Sequence, residues 1–456
     1  MSFNVLDESW DIKTIGDLVY AGEADIQTGP FGTMLQASSY SPNGTPVIAV
    51  KDIGMNKIIH GKSPLINDSD AERLSRYKLQ QGDIIFGRKG AVDRRALVTV
   101  KEEGWIQGSD CIRIRFTTPK IDPVFVSYFL GTKFYINWII SNAQGTTMPS
   151  LNQEILKRVT LPIPSIEEQR RISSVLKATD EKIELNNAIN KNLEEIAQAL
   201  FKRWFVDFEF LNENGEPYKS SGGEFEESEL GLIPKGWKIG TIDDLCETIF
   251  SGGTPSTRNA SFWDGDYYWL SSGETRNSYI ITTEKTITKD GIENSSTRLA
   301  KKYDIVIASA GQGSTRGQTS ICLMDTYINQ SIIALRANQK TTFPSYLFFN
   351  LKNRYEELRQ ISDSNSIRGS LTTNMLKKYK VIIPPFDIQN QICPVLSSFI
   401  NSAEHYVRQN KSLSELRDNL LPKLMSGEIR VPLEKEYELT TDLPMAAESK
   451  EQYFTT

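Results

Sequence analysis

Two halves of the 456-residue chain carry the same text in the same order. WDIKTIGDL (10–18) matches WKIGTIDDL (237–245) at six of nine positions, 227 residues apart. Further on the offset settles at 221: Asp83-Ile84-Ile85 answers Asp304-Ile305-Val306, Gly90 answers Gly311, Arg95 answers Arg316, and CIRIR (111–115) answers IIALR (332–336). It then becomes 220, where IPSIEEQRRI (163–172) answers IPPFDIQNQI (383–392). An ordered series of matches with a slowly drifting offset is the mark of a duplication. Whatever one half folds into, the other must fold into as well.

Each copy has two parts. The first, of about 150 residues, alternates short β-type runs with turns and ends in an apolar helical stretch, which reads as a mixed α+β globule. The second opens on prolines (Pro162 and Pro164; Pro384 and Pro385), a helix-start signal. It continues without Pro or Gly over 165–211 in the first copy, a rod of about 60 Å at 1.5 Å per residue. Apolar residues in the rods follow a 4,3 spacing, from Ile172 and Leu176 to Leu200 and Trp204, and from Ile392 and Leu396 to Leu420 and Leu424. Such a seam buries against another helix. The expectation is that the rods pack on each other, antiparallel and in register, with a globule at each end. Asn190 and Asn410 hold equivalent seam positions and are candidates for fixing the register; the alternative is that they face water. The organisation expected is thus a globule over 1–163, a rod over 164–211, a linker over 212–235, a globule over 236–383, a rod over 384–431 and a tail over 432–456.

Charge follows this division. The whole chain is −5, but 1–163 is +1 and 236–383 is +4, while the 212–235 segment and the 432–456 tail are each −4. The linker is therefore read as acidic and flexible. The globules are neutral to basic, which leaves room for local phosphate contact. No apolar run reaches the roughly 18 residues of a spanning helix, and the N-terminus lacks the basic and apolar regions of a signal peptide. The cysteines Cys111, Cys246, Cys322 and Cys393 form no CxxC or CxxH pattern, so reduced and mostly buried thiols in the cytosol are expected.

Known catalytic patterns fail on inspection. IPPF (383–386) resembles the Asp/Asn-Pro-Pro-Tyr/Phe motif of N6-adenine methyltransferases, but Ile383 occupies the place of the hydrogen-bonding residue. Gly311-Gln312-Gly313 misses the GxGxxG spacing, and GDIIFGRK (82–89) has Arg88 where a P-loop has lysine. His60 and His405 are the only histidines, and neither has a companion at metal-ligand spacing. No catalytic residue, cofactor or metal is assigned to the chain.

Three loops per globule suit DNA instead. The first is glycine-rich, with Thr28, Gly29, Gly32 and Thr33 in one copy and Ser251, Gly252, Gly253, Thr254 and Ser256 in the other; glycines let backbone N–H groups approach phosphates, or simply make a tight turn. The second follows the Asp-Ile-Ile or Asp-Ile-Val strand and offers Arg88, Lys89, Arg94 and Arg95, or Gln312, Ser314, Thr315, Arg316 and Gln318. Arginine can pair with guanine and glutamine with adenine, and either can also be a solvated face. The third offers Gln144, Thr146 and Thr147, or Asn365 and Arg368. Loops that differ while their flanks match are what two readers of different short sequences on one frame would show.

These residues carry a resemblance. The twofold repeat, IPSIEEQRRISSVL (163–176), ALFKRWFVDFEF (199–210), ELGLIPKGWKIGTIDDL (229–245), SGGTPST (251–257) and TGPFGT (28–33) are similar to the specificity subunit of type I restriction–modification enzymes, over roughly residues 10–430. The second copy departs at Ile388, where the first has Glu168, although Gln389 matches Gln169. The resemblance implies two target-recognition domains joined by two helical regions in an antiparallel coiled coil. Each domain would read one half of a split, asymmetric site in double-stranded DNA. The helices would hold two modification subunits, which bind S-adenosylmethionine and methylate adenine. Restriction subunits, which translocate and cut DNA with ATP and Mg, would join that core in a prokaryotic cytoplasm, at the nucleoid. Phe201, Trp204, Phe205 and Phe208 would suit a partner interface, or else core packing. A self-contained methyltransferase and a coiled-coil adaptor that binds only protein are the competing readings.

Overall fold

The structure is a computed structural model that describes residues 7–61, 63–145, 148–311, 314–363 and 369–432. The chain divides into two compact units, drawn from Met1–Asp180 with Glu415–Thr456 and from Glu181–Ser414. The second is an insertion within the first, and the boundaries fall inside the two long helices, Ile166–Phe205 and Phe386–Ser426.

In the first unit the opening repeat motif builds a strand, Asp11–Thr14, that pairs antiparallel with Thr160–Ile163 just ahead of the long helix. Thr14 then caps the short helix Ile15–Tyr20 reciprocally with Asp17: Asp17 Oδ2 accepts from Thr14 N at 2.8 Å, and Thr14 Oγ1 accepts from Asp17 N at 3.0 Å. The main sheet has the order Ala24–Thr28, Cys111–Phe116, Ile84–Gly87, Arg95–Leu97, all antiparallel. Strand alternation sends Ile26, Ile84, Ile112 and Ile114 to one face, where they pack on Phe125 and Phe129 of the helix Pro123–Phe129. The other face is covered by a small sheet of Tyr40–Ser41, Leu65–Ile66, Thr45–Ile48 and Ile106–Gln107. The second unit repeats the plan. Lys238–Thr241 pairs with Lys380–Ile383, Thr241 and Asp244 make the same turn contact at 2.7 Å, and the central strands run Cys246–Ser251, Ile332–Ala337, Ile305–Ala308, Thr319–Cys322.

Two polar devices recur at the same repeat positions. Arg115 grips the buried Asp83 through Nε and Nη2, both at 2.6 Å, and Arg336 grips Asp304 at 3.0 and 2.7 Å. Each pair is bidentate, which fixes the strand after the turn to its neighbour in the sheet. The second device explains why glutamine survives at the helix entry while its neighbour changes. Gln169 Oε1 accepts from Asp122 N at 2.8 Å, and its Nε2 donates to the carbonyls of Lys120 and Pro164 at 3.0 and 2.8 Å. Gln389 accepts from Thr342 Oγ1 at 2.9 Å and donates to Thr341 and Pro384 carbonyls at 3.1 and 3.3 Å. One amide thus pins each long helix to the loop that precedes the apolar helix of its globule. Glu168 instead pairs with Arg430, so Ile388 in its place leaves the anchor intact.

The long helices are packed together and antiparallel. In the second unit Asn186, fully buried, donates through Nδ2 to Gln409 and Asn410 at 2.7 and 2.8 Å, and Asn410 donates to Asn187 at 2.9 Å. In the first unit Arg417 Nη1 donates to Asp180 at 2.7 Å. Asn410 therefore meets Asn186 rather than the expected Asn190. Equivalent residues of an antiparallel pair can face each other at only one point along its length; Asn186 opposite Asn410 puts that point near residues 188 and 408, about two residues from the expected pair.

Two further expectations are corrected. Phe201, Trp204 and Phe205 are not presented to a partner; they are buried in the core of the second unit, with Phe205 edge-on to Tyr346 at 4.9 Å. Phe208 is half-buried with a left-handed backbone (φ 60°) and packs on Trp237 at 5.5 Å and on Phe225. That turn is where the helix, expected to run to 211, has already ended. Residues 212–235, expected to be a flexible linker, carry a hairpin of Phe225–Ser228 with Gly231–Pro234, and Tyr218 stacks on Phe210 at 4.5 Å. Of the 432–456 tail, residues from 433 onward lie outside the described residues.

All four cysteines are free, and burial pushes the thiols of Cys111, Cys246 and Cys393 up to about 12. These groups stay protonated in the folded chain while unfolded thiols ionise near 8.5. Their contribution to stability is present below about pH 8.5 and is lost as pH rises toward 12. Ellman's reagent at pH 8 should find the native chain nearly unreactive and the urea-unfolded chain reactive at four sites. Gln169→Ala and Gln389→Ala each leave buried backbone groups unpaired, and each should cost about 1–3 kcal/mol in denaturant unfolding.

Candidate nucleic-acid interface

The turns of the first unit converge at one end of its main sheet, because strands Ala24–Thr28 and Ile84–Gly87 both run toward it and Cys111–Phe116 and Arg95–Leu97 start from it. Backbone bonds lock the turns together. Gly29 N donates to Cys111 O at 3.0 Å, Arg88 N to Asp110 O at 2.7 Å, Leu151 N to Arg88 O at 2.8 Å, and Gly90 N to Pro149 O at 2.9 Å. Gln153 donates to Thr28 Oγ1 at 3.0 Å, which ties the third loop to the first. The second unit builds the same junction: Ser309 N donates to Ser331 O at 2.8 Å and Leu371 N to Ser309 O at 2.9 Å. Arg88 and Ser309 are repeat equivalents, as are Leu151 and Leu371.

On this frame the exposed tip of the first unit carries Phe31, Gly32, Thr33, Lys89, Arg94 and Gln144. Arg88 is half-buried, with its guanidinium 5.0 Å from the centre of the Phe31 ring. Lys89 lies 3.8 Å from Asp110, both about half exposed; such a pair contributes little and is free to exchange for a phosphate. Phe31 and Gln153 went unnoticed in the sequence, since neither is basic or glycine. In the second unit Ser251, Ser256 and Ser314 are exposed, while Thr254 is half-buried and paired with Gln330. Thr315 and Gln318 are half-buried, and the Ser314 carbonyl accepts from Tyr355 Oη at 2.8 Å. Thr146, Thr147, Gln312, Asn365 and Arg368 lie outside the described residues.

The glycines of the first loop in each unit have a packing reason. A Cβ on Gly29 would lie 1.9 Å from Gly108 O, and one on Gly252 would lie 1.9 Å from Ile328 O. Both positions need glycine so that two backbones can touch, whatever binds above them.

Arg95 and Arg316 are corrected from base-reading candidates to buried braces. Arg95 is 4% exposed; its Nε donates to Ser127 O, its guanidinium fills the space a side chain at Gly131 would need, and burial pushes it down to about 10. Arg316 is 8% exposed, donates to Gly369 O at 3.2 Å and pairs with Asp363. Both therefore hold the reading loops to the helical layer behind them. Arg95→Ala is expected to lower thermal stability by about 2–4 kcal/mol, whereas Lys89→Ala should leave the melting temperature unchanged. Equal melting curves for the two variants would return Arg95 to the list of surface readers.

A twice-built α+β unit with a looped sheet end, its copies linked by antiparallel helices, is the class that this geometry defines. Comparison with known proteins agrees. A family model described as the type I restriction modification DNA specificity domain matches twice, at residues 7–195 and 234–413. The chain belongs to that family. It is 24% identical over 438 residues to the HindI specificity subunit of Haemophilus influenzae, spanning 83% of this chain and 93% of that one. It is also 24% identical over 436 residues to the MjaIX specificity subunit of Methanocaldococcus jannaschii, spanning 93% and 95%. The solved S subunit of a type I restriction–modification system from M. genitalium shares the fold, with a TM-score of 0.57 over 92% of this chain and 97% of that one at 16% identity. Among the described residues no helix is long and apolar enough to cross a membrane.

Proposed function

We propose that the chain supplies DNA sequence specificity to a type I restriction–modification complex, with each unit reading one half of a split site. The observation that carries this is the repeated loop junction: the same two backbone bonds hold equivalent turns at the end of each main sheet, while the exposed side chains on those turns differ. A shared frame with different tips fits two different half-sites. Lys89, Arg94 and the half-buried Arg88 give the first tip a positive face for phosphates; Phe31 and Gln144 give it apolar and amide groups for base edges.

On this reading the chain performs no catalysis and carries no cofactor of its own. Two modification subunits bring S-adenosylmethionine to adenine, restriction subunits bring ATP and Mg, and the assembly works on DNA in the cytoplasm. The buried aromatic cluster at the end of the first long helix is no longer available as the docking face, so partners must use other surfaces of the helical layer. A protein-only adaptor is the weaker reading, because it gives no use to a cationic sheet end.

The test is selection of duplexes from a randomised pool by the full chain assembled with its modification partner. Two short motifs at a constant gap are expected; one continuous motif, or none, would overturn the reading. Lys89→Ala should weaken binding to all duplexes alike and reduce the salt slope by about one.

A further inference from the structure

The two units share a strand register and fill one place in it differently. In the first, Gln27 sits opposite Arg113, and Asp25 opposite Arg115. In the second, the matching pairs are Phe250 with Ala334, and Thr248 with Arg336. Arg115 and Arg336 make the same bidentate grip described above, so the alignment of the two registers is secure. In the second unit Phe250 and Ala334 are buried in an apolar cluster, and the guanidinium of Arg298 lies 4.2 Å from the centre of the Phe250 ring. In the first unit the buried side chain of Gln27 stands in the place of Phe250, and beside it opens a cleft of about 660 Å³, lined by Asp25, Arg76 and Arg113 and by Thr28, Phe31 and Gln153 of the turns described above.

Arg113 is the unusual member. It is 2% exposed and pairs through Nη2 with Asp25, whose carboxylate is 55% exposed, yet its Nε and Nη1 have no hydrogen-bond partner among the described residues. A buried guanidinium with unused donors is unfavourable unless acceptors come to it. Arg76, like Arg298, follows a hydroxyl residue shortly before the shared Asp-Ile strand, and it is exposed at the mouth of the cleft.

We propose that this cleft binds a guanine base, with the ring against Arg76 as the Phe250 ring lies against Arg298 in the second unit. A planar ligand follows from that parallel, because an arginine over a ring face is favourable for a base as for a phenyl group. The hydrogen-bonding pattern selects guanine. Its O6 and N7 accept from a guanidinium, and its N1 and N2 protons suit a carboxylate, here Arg113 and Asp25. The exposed carboxylate also disfavours a bare phosphate. The base can belong to a free guanine nucleotide or be extruded from a DNA strand.

The experiment uses the full-length chain, with GMP, AMP and inorganic phosphate as probes in calorimetry. GMP is expected to bind, AMP to bind roughly tenfold more weakly, and phosphate not to compete. The double variant Gln27→Phe with Arg113→Ala installs the second unit's pair. It should keep its melting temperature and lose GMP binding by tenfold or more. Arg76→Ala, at an exposed residue, should weaken GMP several-fold. A duplex with one bulged guanine separates the sources. Tighter binding than the fully paired duplex, lost in the double variant, assigns the base to DNA; equal binding of the two duplexes, with GMP still bound, assigns it to a free nucleotide. GMP affinity unchanged in either variant, phosphate competing as well as GMP, or no binding of GMP and no preference for the bulge would each overturn the proposal. The GMP arm stands apart from the DNA-reading assignment: it can succeed where selection of duplexes fails, and the reverse.

Discussion

Each long helix begins on one unit and ends in the hydrophobic core of the other, and the rest of the molecule depends on that exchange. Phe201, Trp204 and Phe205 of the first helix are buried in the second unit, while Leu424 and Met425 of the second helix are buried in the first. Burying each large apolar side chain contributes about 1.5–3 kcal/mol, so these five residues are a sizeable part of either core. Neither repeat can complete its own core from its own sequence. A linear duplication has become an interlocked one, in which the second unit is an insertion within the first.

That interlocking shifts the burden of precision to the helix entries. A long helix held only at its far end would be free to rotate about its axis and move its apolar stripe. Gln169 and Gln389 remove that freedom with one buried amide each, satisfied on both its oxygen and its nitrogen. The Asp83–Arg115 and Asp304–Arg336 grips do the same for the strands that carry the reading turns. Polar contacts of this kind are directional, and they set orientation where apolar packing sets only proximity. The loops can then vary without disturbing the sheet, as Arg88-Lys89 against Ser309-Ala310 shows.

Much of this was legible in the sequence. The repeat and the heptad spacing pointed to two α+β globules, each followed by a long helix, and the prolines marked the helix entries; that the matched Gln169 and Gln389 anchor those helices was not read from the sequence. What was not legible was direction. Arg95 stands among basic residues in a glycine-rich turn, and composition cannot say that it starts a strand and turns inward to Ser127. The aromatic run ending at Phe208 looked equally like an interface or a core, because an amphipathic stripe does not name what covers it. The seam asparagines were found, but a heptad pattern on one helix carries no information about the stagger of its partner. That offset depends on where the helix ends are buried, which is a tertiary property.

The duplication also makes the differences between units informative, because each copy serves as a control for the other. Where registers agree and side chains agree, the frame alone accounts for the residue. Where registers agree and side chains differ, the frame accepts either, and the less stable choice needs a separate reason. An apolar pair such as Phe250 and Ala334 is inexpensive to bury, whereas a guanidinium with unused donors beside an open cleft is not. Within a fold that fills this position with an apolar pair in its other copy, placing the buried Gln27 and Arg113 there beside a cleft gives up stability in the free chain. On the proposal above, that local cost is offset when a ligand supplies the missing acceptors, which gives the asymmetry of the two units a use in binding.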